Sequence, residues 1–199
     1  MIKLGVTGGI GTGKTTVCEI LKEFGCFIFS ADSIAKEVQE KNPTVILEMK
    51  KLFGDAIYQN GVPNRKKIAE VVFADKTQLH RLNAIIHPVV TKAFEDAVYE
   101  AFMAGYQVIV KEAAIMFESG SDKGLDAILV VASSLETRLK RLEGRGISKT
   151  DALKRIEHQL SQETLLEKSK FVIWNDGTIA ELRKKTQEVY NGVIDRLKQ

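Results

Sequence analysis

The chain has 199 residues, of which 44% are hydrophobic, and its 29 basic and 26 acidic side chains give a formal charge of +3. Disordered chains combine few apolar residues with a large net charge, so this composition excludes disorder as the main state. A charge of +3 is also too small for a nucleic-acid binder recognised by charge alone. We therefore expect an ordinary soluble globular protein with no nucleic-acid partner.

The two cysteines, Cys18 and Cys26, are too few for a disulfide framework and lack the CxxC spacing. We expect both to be small buried apolar side chains. The apolar run from Met1 to Val6 is too short for a signal peptide or a membrane span. These features predict a cytoplasmic protein without a membrane partner.

The N-terminal segment has the pattern of a strand, a glycine loop, a helix and a second strand. Ile2, Leu4 and Val6 alternate as in a strand. After the glycines, apolar residues recur at helical spacing and predict a helix with Val17, Ile20, Leu21 and Phe24 on one face. A short apolar run at residues 26–29 then predicts the second strand. The first unit is therefore predicted to be βαβ.

Residues 32–105 carry almost wholly helical patterns, with one turn at Asn60-Gly61-Val62-Pro63. A sheet protein interrupted by this much helix is expected to hold an inserted lid or substrate-binding subdomain between two strands. We assign residues 32–105 to a helical substrate-binding insertion.

Strand patterns return at residues 107–112 and 126–131, with the continuous apolar composition of parallel strands buried on both faces, and once more at 170–174. Three capping boxes predict helix starts, namely Ser133 with Glu136, Ser148 with Asp151, and Thr178 with Glu181. The first two helices are separated by Gly144-Arg145-Gly146. The core is thus predicted at residues 1–31, 106–134 and 168–199, and a helical lid at 135–167.

Residues 8–15 match the phosphate-loop pattern G-x-x-x-x-G-K-[ST] and lie between a predicted strand and a predicted helix, the context that confirms the motif. The glycines let backbone N–H groups converge on phosphate oxygens, and the following helix directs its positive end at the same anion. Lys14 is predicted to reach the β- and γ-phosphates, and Thr15 to bind Mg²⁺. The predicted nucleotide-binding residues of the loop are Gly11, Thr12, Gly13, Lys14, Thr15 and Thr16.

This loop serves GTPases, motor and transport ATPases and small-molecule kinases alike. The sequence contains no Asn-Lys-x-Asp guanine motif, and its four tyrosines and one tryptophan offer few stacking platforms for single strands. A small kinase is the interpretation that remains. A kinase for another alcohol or nucleotide, or a nucleotide-gated regulatory protein, stays open at this point.

A kinase needs a group that orients and deprotonates the acceptor hydroxyl. Asp32 is the carboxylate nearest the end of the second predicted strand, where ligands bind in open α/β sheets. We predict that Asp32 is the general base, while a helix N-cap is the structural alternative for the same residue.

The segment from Arg138 to Arg155 holds seven basic and two acidic side chains, a local charge of +5. Phosphoryl transfer needs positive charge around the migrating group and exclusion of water. We predict a closing lid in which Arg141 and Arg145, four residues apart, point from one side of a helix to the phosphates.

Together these residues resemble the dephospho-coenzyme A kinases, P-loop enzymes of the nucleotide-kinase-like group. The resemblance spans nearly the whole chain and rests on the loop and on segments in a fixed order: Ala31-Asp32 followed by residues 34–38, Phe53-Gly54, Asn64-Arg65, residues 82–88, 137–141 and 172–177. It implies an α/β fold of three layers, with a mostly parallel five-stranded sheet, a helical acceptor-binding insertion and a helical lid.

The resemblance also implies a reaction: the γ-phosphate of ATP, bound with Mg²⁺, is transferred to the ribose 3′-hydroxyl of dephospho-coenzyme A, the last step of coenzyme A synthesis. It gives Asp32 the role of base, with Lys14 and Arg141 stabilising the transferred group. It places Arg65 and His87 near the acceptor and Asn175 near the adenine. The structural alternatives are an ordinary surface arginine in the first turn of a helix for Arg65 and a packing histidine before a kink at Pro88 for His87. The expected partners are these two small molecules, and the chain is expected to be a monomer or weak homo-oligomer.

The sequence departs from the family pattern at two places. Ser30 stands where the family usually has the first Asp of Asp-Ala-Asp, and Ala113-Ala114 replaces part of Pro-Leu-Leu after the third strand. Glu112, at the end of that strand, retains a carboxylate suited to supporting a Mg²⁺ site without binding the ion itself, and an ordinary charge at a strand end is the structural alternative.

Overall fold

The computed structural model describes the backbone of residues 1–197, and the side chains of that range other than those of residues 73, 74, 76, 196 and 197. Residues 198–199, which are predicted to belong to the core, lie outside the described residues. The chain forms two compact units. The first unit comprises residues 1–30 and 98–199, and the second comprises residues 31–97.

The first unit is built on a five-stranded sheet in the order β2-β5-β1-β6-β7. All four strand pairs are parallel, so the predicted mostly parallel five-stranded sheet is confirmed. Its strands are β1 (Ile2–Thr7), β2 (Phe27–Ser30), β5 (Val108–Glu112), β6 (Ala127–Ala132) and β7 (Phe171–Trp174). In this register Glu112 is opposite both Val6 of β1 and Ser30 of β2.

The helices of the first unit are α1 (Lys14–Glu23), α6 (Leu135–Glu143), α7 (Lys149–Glu157), α8 (Gln162–Glu167) and α9 (Ile179–Leu197). Helices α1 and α9 pack together against one face of the sheet, over Val6, Val110 and Leu129. These strand residues are almost fully buried, as expected for a parallel sheet covered by helices. On Gly5 an added Cβ would lie 2.8 Å from both Leu125 and Met116, which cover the sheet there.

The second unit is helical, with a small hairpin. Its helices are α2 (Ala31–Lys41), α3 (Pro43–Phe53), α4 (Arg65–Ala74) and most of α5 (Lys76–Met103), which continues into the first unit. The predicted turn at 60–63 is a tighter turn at Asn60-Gly61, where φ is positive at both residues. It joins two short strands, β3 (Tyr58–Gln59) and β4 (Val62–Pro63), which the sequence did not predict, within a segment that is otherwise almost wholly helical as expected.

Two of the three predicted helix caps are confirmed, and of these the pair Thr178 and Glu181 forms the complete capping box. The Ser148 side chain accepts from Asp151 N–H at 3.1 Å, and Thr178 and Glu181 exchange backbone-to-side-chain bonds in both directions. The first box is wrong by one residue, because Ser134 caps α6 and Ser133 is fully buried. Among the described residues, no helix combines the length and the apolar character needed to cross a bilayer.

Candidate active site

The phosphate loop connects β1 to α1 as predicted. Gly13 stands at the start of α1 in the left-handed region, with φ at 95°, and no side chain caps the helix. No acidic residue lies in the first turn. The first N–H groups of α1 therefore keep their partial positive charge for an anion. Lys14 Nζ donates to the carbonyls of Gly8 at 2.9 Å and Gly9 at 3.2 Å, which places its ammonium beside the first two residues of the loop.

Strand β5 brings a carboxylate to the loop. Thr15 Oγ1 donates to Glu112 Oε1 at 2.9 Å, although the two residues are 97 positions apart in the chain. Glu112 is only 9% exposed, since it ends a central strand between β1 and β2. The site thus pairs a hydroxyl and a carboxylate, the oxygen ligands that Mg²⁺ prefers.

Cys18 lies on α1 behind this pair. Burial raises the pKa of its thiol, and the charge of Glu112 raises it further, while Lys14 acts in the opposite direction. A protonated thiol is a poor nucleophile, so Cys18 serves packing. Cys26 is buried and free as well, which confirms the prediction for both cysteines.

The back of the loop is held through its carbonyl groups. Arg141 Nη1 donates to the carbonyls of Gly11 and Thr12, both at 3.3 Å, and Nη2 donates to Asn175 O at 3.0 Å. Asn175 Nδ2 donates to Thr12 O at 2.8 Å. A Cβ on Gly13 would lie 2.3 Å from that amide nitrogen, so the glycine is needed for close approach as well as for its φ.

The two predicted lid arginines, Arg141 and Arg145, differ in whether they contact the phosphate loop. Helix α6 ends at Glu143, and Arg145 lies beyond it, exposed, in a turn where the N–H of Gly146 bonds to Glu143 O. The prediction that Arg141 and Arg145 point from one side of a helix is wrong, because the glycines flanking Arg145 favour a turn over a helix. Only Arg141 of this pair is brought to the loop.

Sequence reasoning missed three residues that the structure places at this site. Ser133 Oγ donates to Asn175 O at 2.7 Å, and Gln159 Oε1 accepts from Ile10 N–H at 2.7 Å. The third, Arg138, donates from Nε to Ile10 O at 2.9 Å. A sequence signal existed for Arg138, which lies in the basic segment one helical turn before Arg141. Neither Ser133 nor Gln159 belongs to a pattern that points to the loop.

The three remaining predicted residues belong to the second unit. Helix α2 begins at Ala31, directly after β2, so Asp32 lies in its first turn. The Asp32 side chain is half-buried. Arg65 begins α4 and pairs with Glu40 at 2.6 Å. His87 is half-buried within α5, directly before Pro88. Thr16, in the first unit, is half-buried in the first turn of α1.

A phosphate loop between the first strand and first helix of a parallel five-stranded sheet, held by an arginine from a helix that follows another strand, defines a P-loop nucleotide-binding protein. The sequence profile of the dephospho-CoA kinase family matches residues 2–181. The chain is 45% identical to the dephospho-CoA kinase of Chlorobaculum tepidum over 196 residues, 96% of this chain and 94% of that protein. It belongs to the dephospho-CoA kinase family.

Two solved structures share the fold over nearly their whole length. The dephospho-CoA kinase from Campylobacter jejuni has a TM-score of 0.68 at 27% identity, with 96% of each chain covered. TT1252 from Thermus thermophilus has a TM-score of 0.84 at 28% identity, with 98% of this chain and 97% of the other covered. The chain is thus a kinase, and its family uses ATP as the nucleotide substrate.

Proposed function

We propose that this chain transfers the γ-phosphate of ATP to the ribose 3′-hydroxyl of dephospho-coenzyme A, the final step of coenzyme A synthesis. The observation that carries this proposal is the family match over residues 2–181. The phosphate loop and its supporting side chains agree with an ATP site at the carboxyl end of the sheet.

The loop and its cations bind and orient the phosphates. Backbone N–H groups of the loop from Gly11 onward and of the first turn of α1 would bind the triphosphate, except that of Thr12, which donates to Gly9 O at 3.3 Å, and Lys14 would neutralise charge on the β- and γ-phosphates. Arg141 acts on the same loop from behind, through the carbonyls of Gly11 and Thr12. In phosphoryl transfer such positioning and charge stabilisation supply most of the catalysis. We assign Arg145 to the ATP-facing lid and Asn175 to the adenine end of the loop, as the family resemblance implies.

Thr15 Oγ1 and the Glu112 carboxylate would hold Mg²⁺, because they offer two oxygen ligands 2.9 Å apart beside the phosphate loop. Bound there, the ion would neutralise charge on the β- and γ-phosphates. Glu112 also orients the hydroxyl of Thr15 by accepting a hydrogen bond from it. This pair is the proposed metal site.

Replacing Glu112 with Gln tests the pair. We expect the Mg²⁺ concentration for half-maximal activity to rise by about 10- to 100-fold, because an amide supplies no negative charge to the cation. The measurement is a Mg²⁺ titration of turnover at saturating ATP, with Glu118→Gln as the control, since Glu118 accepts from Leu160 N–H instead. An unchanged Mg²⁺ dependence in Glu112→Gln would remove Glu112 from the metal site.

On the acceptor side, we propose that Asp32 takes the proton of the 3′-hydroxyl as that oxygen attacks the γ-phosphorus in line with the leaving ADP oxygen. Arg65 and His87 are proposed to contact the acceptor, Arg65 as the cation for its phosphate groups. The family resemblance supports these roles, and the position of Asp32 two residues after β2 agrees with them.

The decisive experiment measures ADP release from Mg·ATP with a panel of acceptors: dephospho-coenzyme A, nucleoside monophosphates, shikimate and no acceptor. We expect strong stimulation by dephospho-coenzyme A alone. Stimulation by shikimate or a nucleotide instead would identify a kinase for another acceptor. Slow release that is indifferent to every acceptor would indicate a regulatory nucleotidase, and either result would overturn the proposal.

The cellular setting is proposed from the sequence. The buried free thiols of Cys18 and Cys26 agree with a reducing cytoplasm. We propose that the chain acts there as a monomer or weak homo-oligomer on its two small-molecule substrates, with no nucleic-acid or membrane partner.

A further inference from the structure

Arg138 is a buried cation that neither the motif nor the family resemblance assigns to the reaction. It lies on α6 and is only 6% exposed. Its guanidinium covers Gly9 so closely that a Cβ there would lie 2.4 Å from Nη2. Burial lowers the pKa of Arg138, which shows that its charge is poorly solvated.

No acidic side chain in the described part of the chain forms an ion pair with Arg138. Its Nε donates to the Ile10 carbonyl, which is a neutral acceptor. A buried charge is costly unless an opposite charge compensates it. Since no residue of the described chain supplies that charge, the polyanionic ligand of the neighbouring loop is the natural source.

The bond to Ile10 also sets the orientation of the loop. In a trans peptide the N–H points away from the carbonyl of the same peptide plane. Arg138 draws Ile10 O towards α6, so the N–H of Gly11 points to the opposite side. Replacing Gly11 would strain the loop, because a Cβ would lie 3.0 Å from Arg138 O and φ is 83°. Arg138 thus helps to aim a loop N–H group away from α6.

Arg138 lies at the end of the loop that meets the terminal phosphates. Lys14, the residue of the motif that reaches the β- and γ-phosphates, places its ammonium on the carbonyls of Gly8 and Gly9. The Arg138 guanidinium covers Gly9 as well. Both cations therefore lie beside Gly9.

We infer that Arg138 is a positioning residue for the terminal phosphates of ATP: it fixes the Ile10–Gly11 peptide with its N–H away from α6 and adds uncompensated positive charge at the β- and γ-phosphate end of the loop. The inference rests on the proposed ATP site. It predicts that Arg138 matters more as the phosphate chain lengthens, which a purely structural arginine would not do.

The test measures equilibrium dissociation constants for ATP, ADP and AMP by titration calorimetry, at low and high salt. Arg138→Met keeps the apolar stem but removes the donors and the charge, and Arg138→Gln keeps a donor without the charge. Arg138→Lys retains charge without the planar fork. Lys140→Gln is the matched control, because it removes one positive charge from an exposed position of the same helix.

We expect Arg138→Met to weaken ATP binding about tenfold, the worth of one charge-assisted hydrogen bond, and AMP binding less than about twofold. Arg138→Gln should weaken ATP binding and reduce its salt dependence, Arg138→Lys should restore part of the affinity, and Lys140→Gln should match the parent chain. If Arg138→Met does not fold, the Gln and Lys variants decide the question.

Equal losses for ATP, ADP and AMP, or a lower melting temperature with no change in the preference for ATP, would overturn the inference. These binding measurements use no acceptor. A chain that fails to phosphorylate dephospho-coenzyme A would therefore refute the proposed function without affecting the result for Arg138.

Discussion

Replacing Asp32 with Asn is expected to lower kcat by about 10²- to 10⁴-fold while leaving the KM for ATP nearly unchanged. The amide has the same shape and hydrogen-bonding reach as the carboxylate, but it cannot accept the proton of the acceptor hydroxyl. Steady-state ADP release at saturating dephospho-coenzyme A measures this effect.

The same substitution separates the two interpretations of Asp32. Asp32 is the second residue of α2, where loss of the carboxylate charge costs only about 0.3–1 kcal/mol of interaction with the helix dipole, so a purely structural Asp32 would leave turnover near normal. Glu37→Gln is the control, because Glu37 is an exposed carboxylate on the same helix, paired with Lys41 at 2.9 Å. Near-normal turnover in Asp32→Asn would remove this residue from the mechanism.

Replacing Lys14 with Met is expected to lower kcat/KM by about 10²- to 10³-fold, the usual cost of removing one charged or polar donor from the reacting group. The thioether retains the apolar length of the side chain, so the loss reports the ammonium. The measurement is kcat and KM for ATP, together with the melting temperature, since Lys14 also donates to the loop carbonyls of Gly8 and Gly9.

Lys22→Met provides the comparison for Lys14. Lys22 is an exposed lysine in the last turn of the same helix, far from the loop in sequence. Its removal changes the net charge equally and should leave kcat/KM within about twofold, as for an ordinary surface substitution. A Lys14→Met variant that behaves like Lys22→Met would show that the loop does not hold the reacting phosphates.

Local sequence patterns predicted much of the first unit. The strands β5 and β6 have the continuous apolar composition of buried parallel strands, β1 has an alternating pattern, and the residue spacing of the phosphate loop is highly specific for nucleotide binding. Where a helix begins depends on short-range bonds, so the caps at Ser148 and Thr178 were predicted to the residue. Ser133 failed as a cap because the adjacent Ser134 offers the same hydroxyl.

The contacts that complete the site were not predictable in this way. Thr15 meets Glu112 because β5 lies beside β1, and Arg138 and Gln159 reach Ile10 from 128 and 149 positions along the chain. Asn175 reaches Thr12 across 163 positions. These contacts depend on the strand order, the strand register and the packing of α6. None of these three features produces a periodic pattern in the sequence.

By itself, therefore, the sequence determined the phosphate loop, the parallel sheet and a basic segment after β6, since spacing and composition act over a few residues. The tertiary structure alone decided how that positive charge is used. It buries Arg138, fixes both Arg138 and Arg141 on loop carbonyls, and leaves Arg145 exposed beyond the end of α6. The physical reason is that a guanidinium is fixed by acceptors distant in the chain, and only folding brings these within reach.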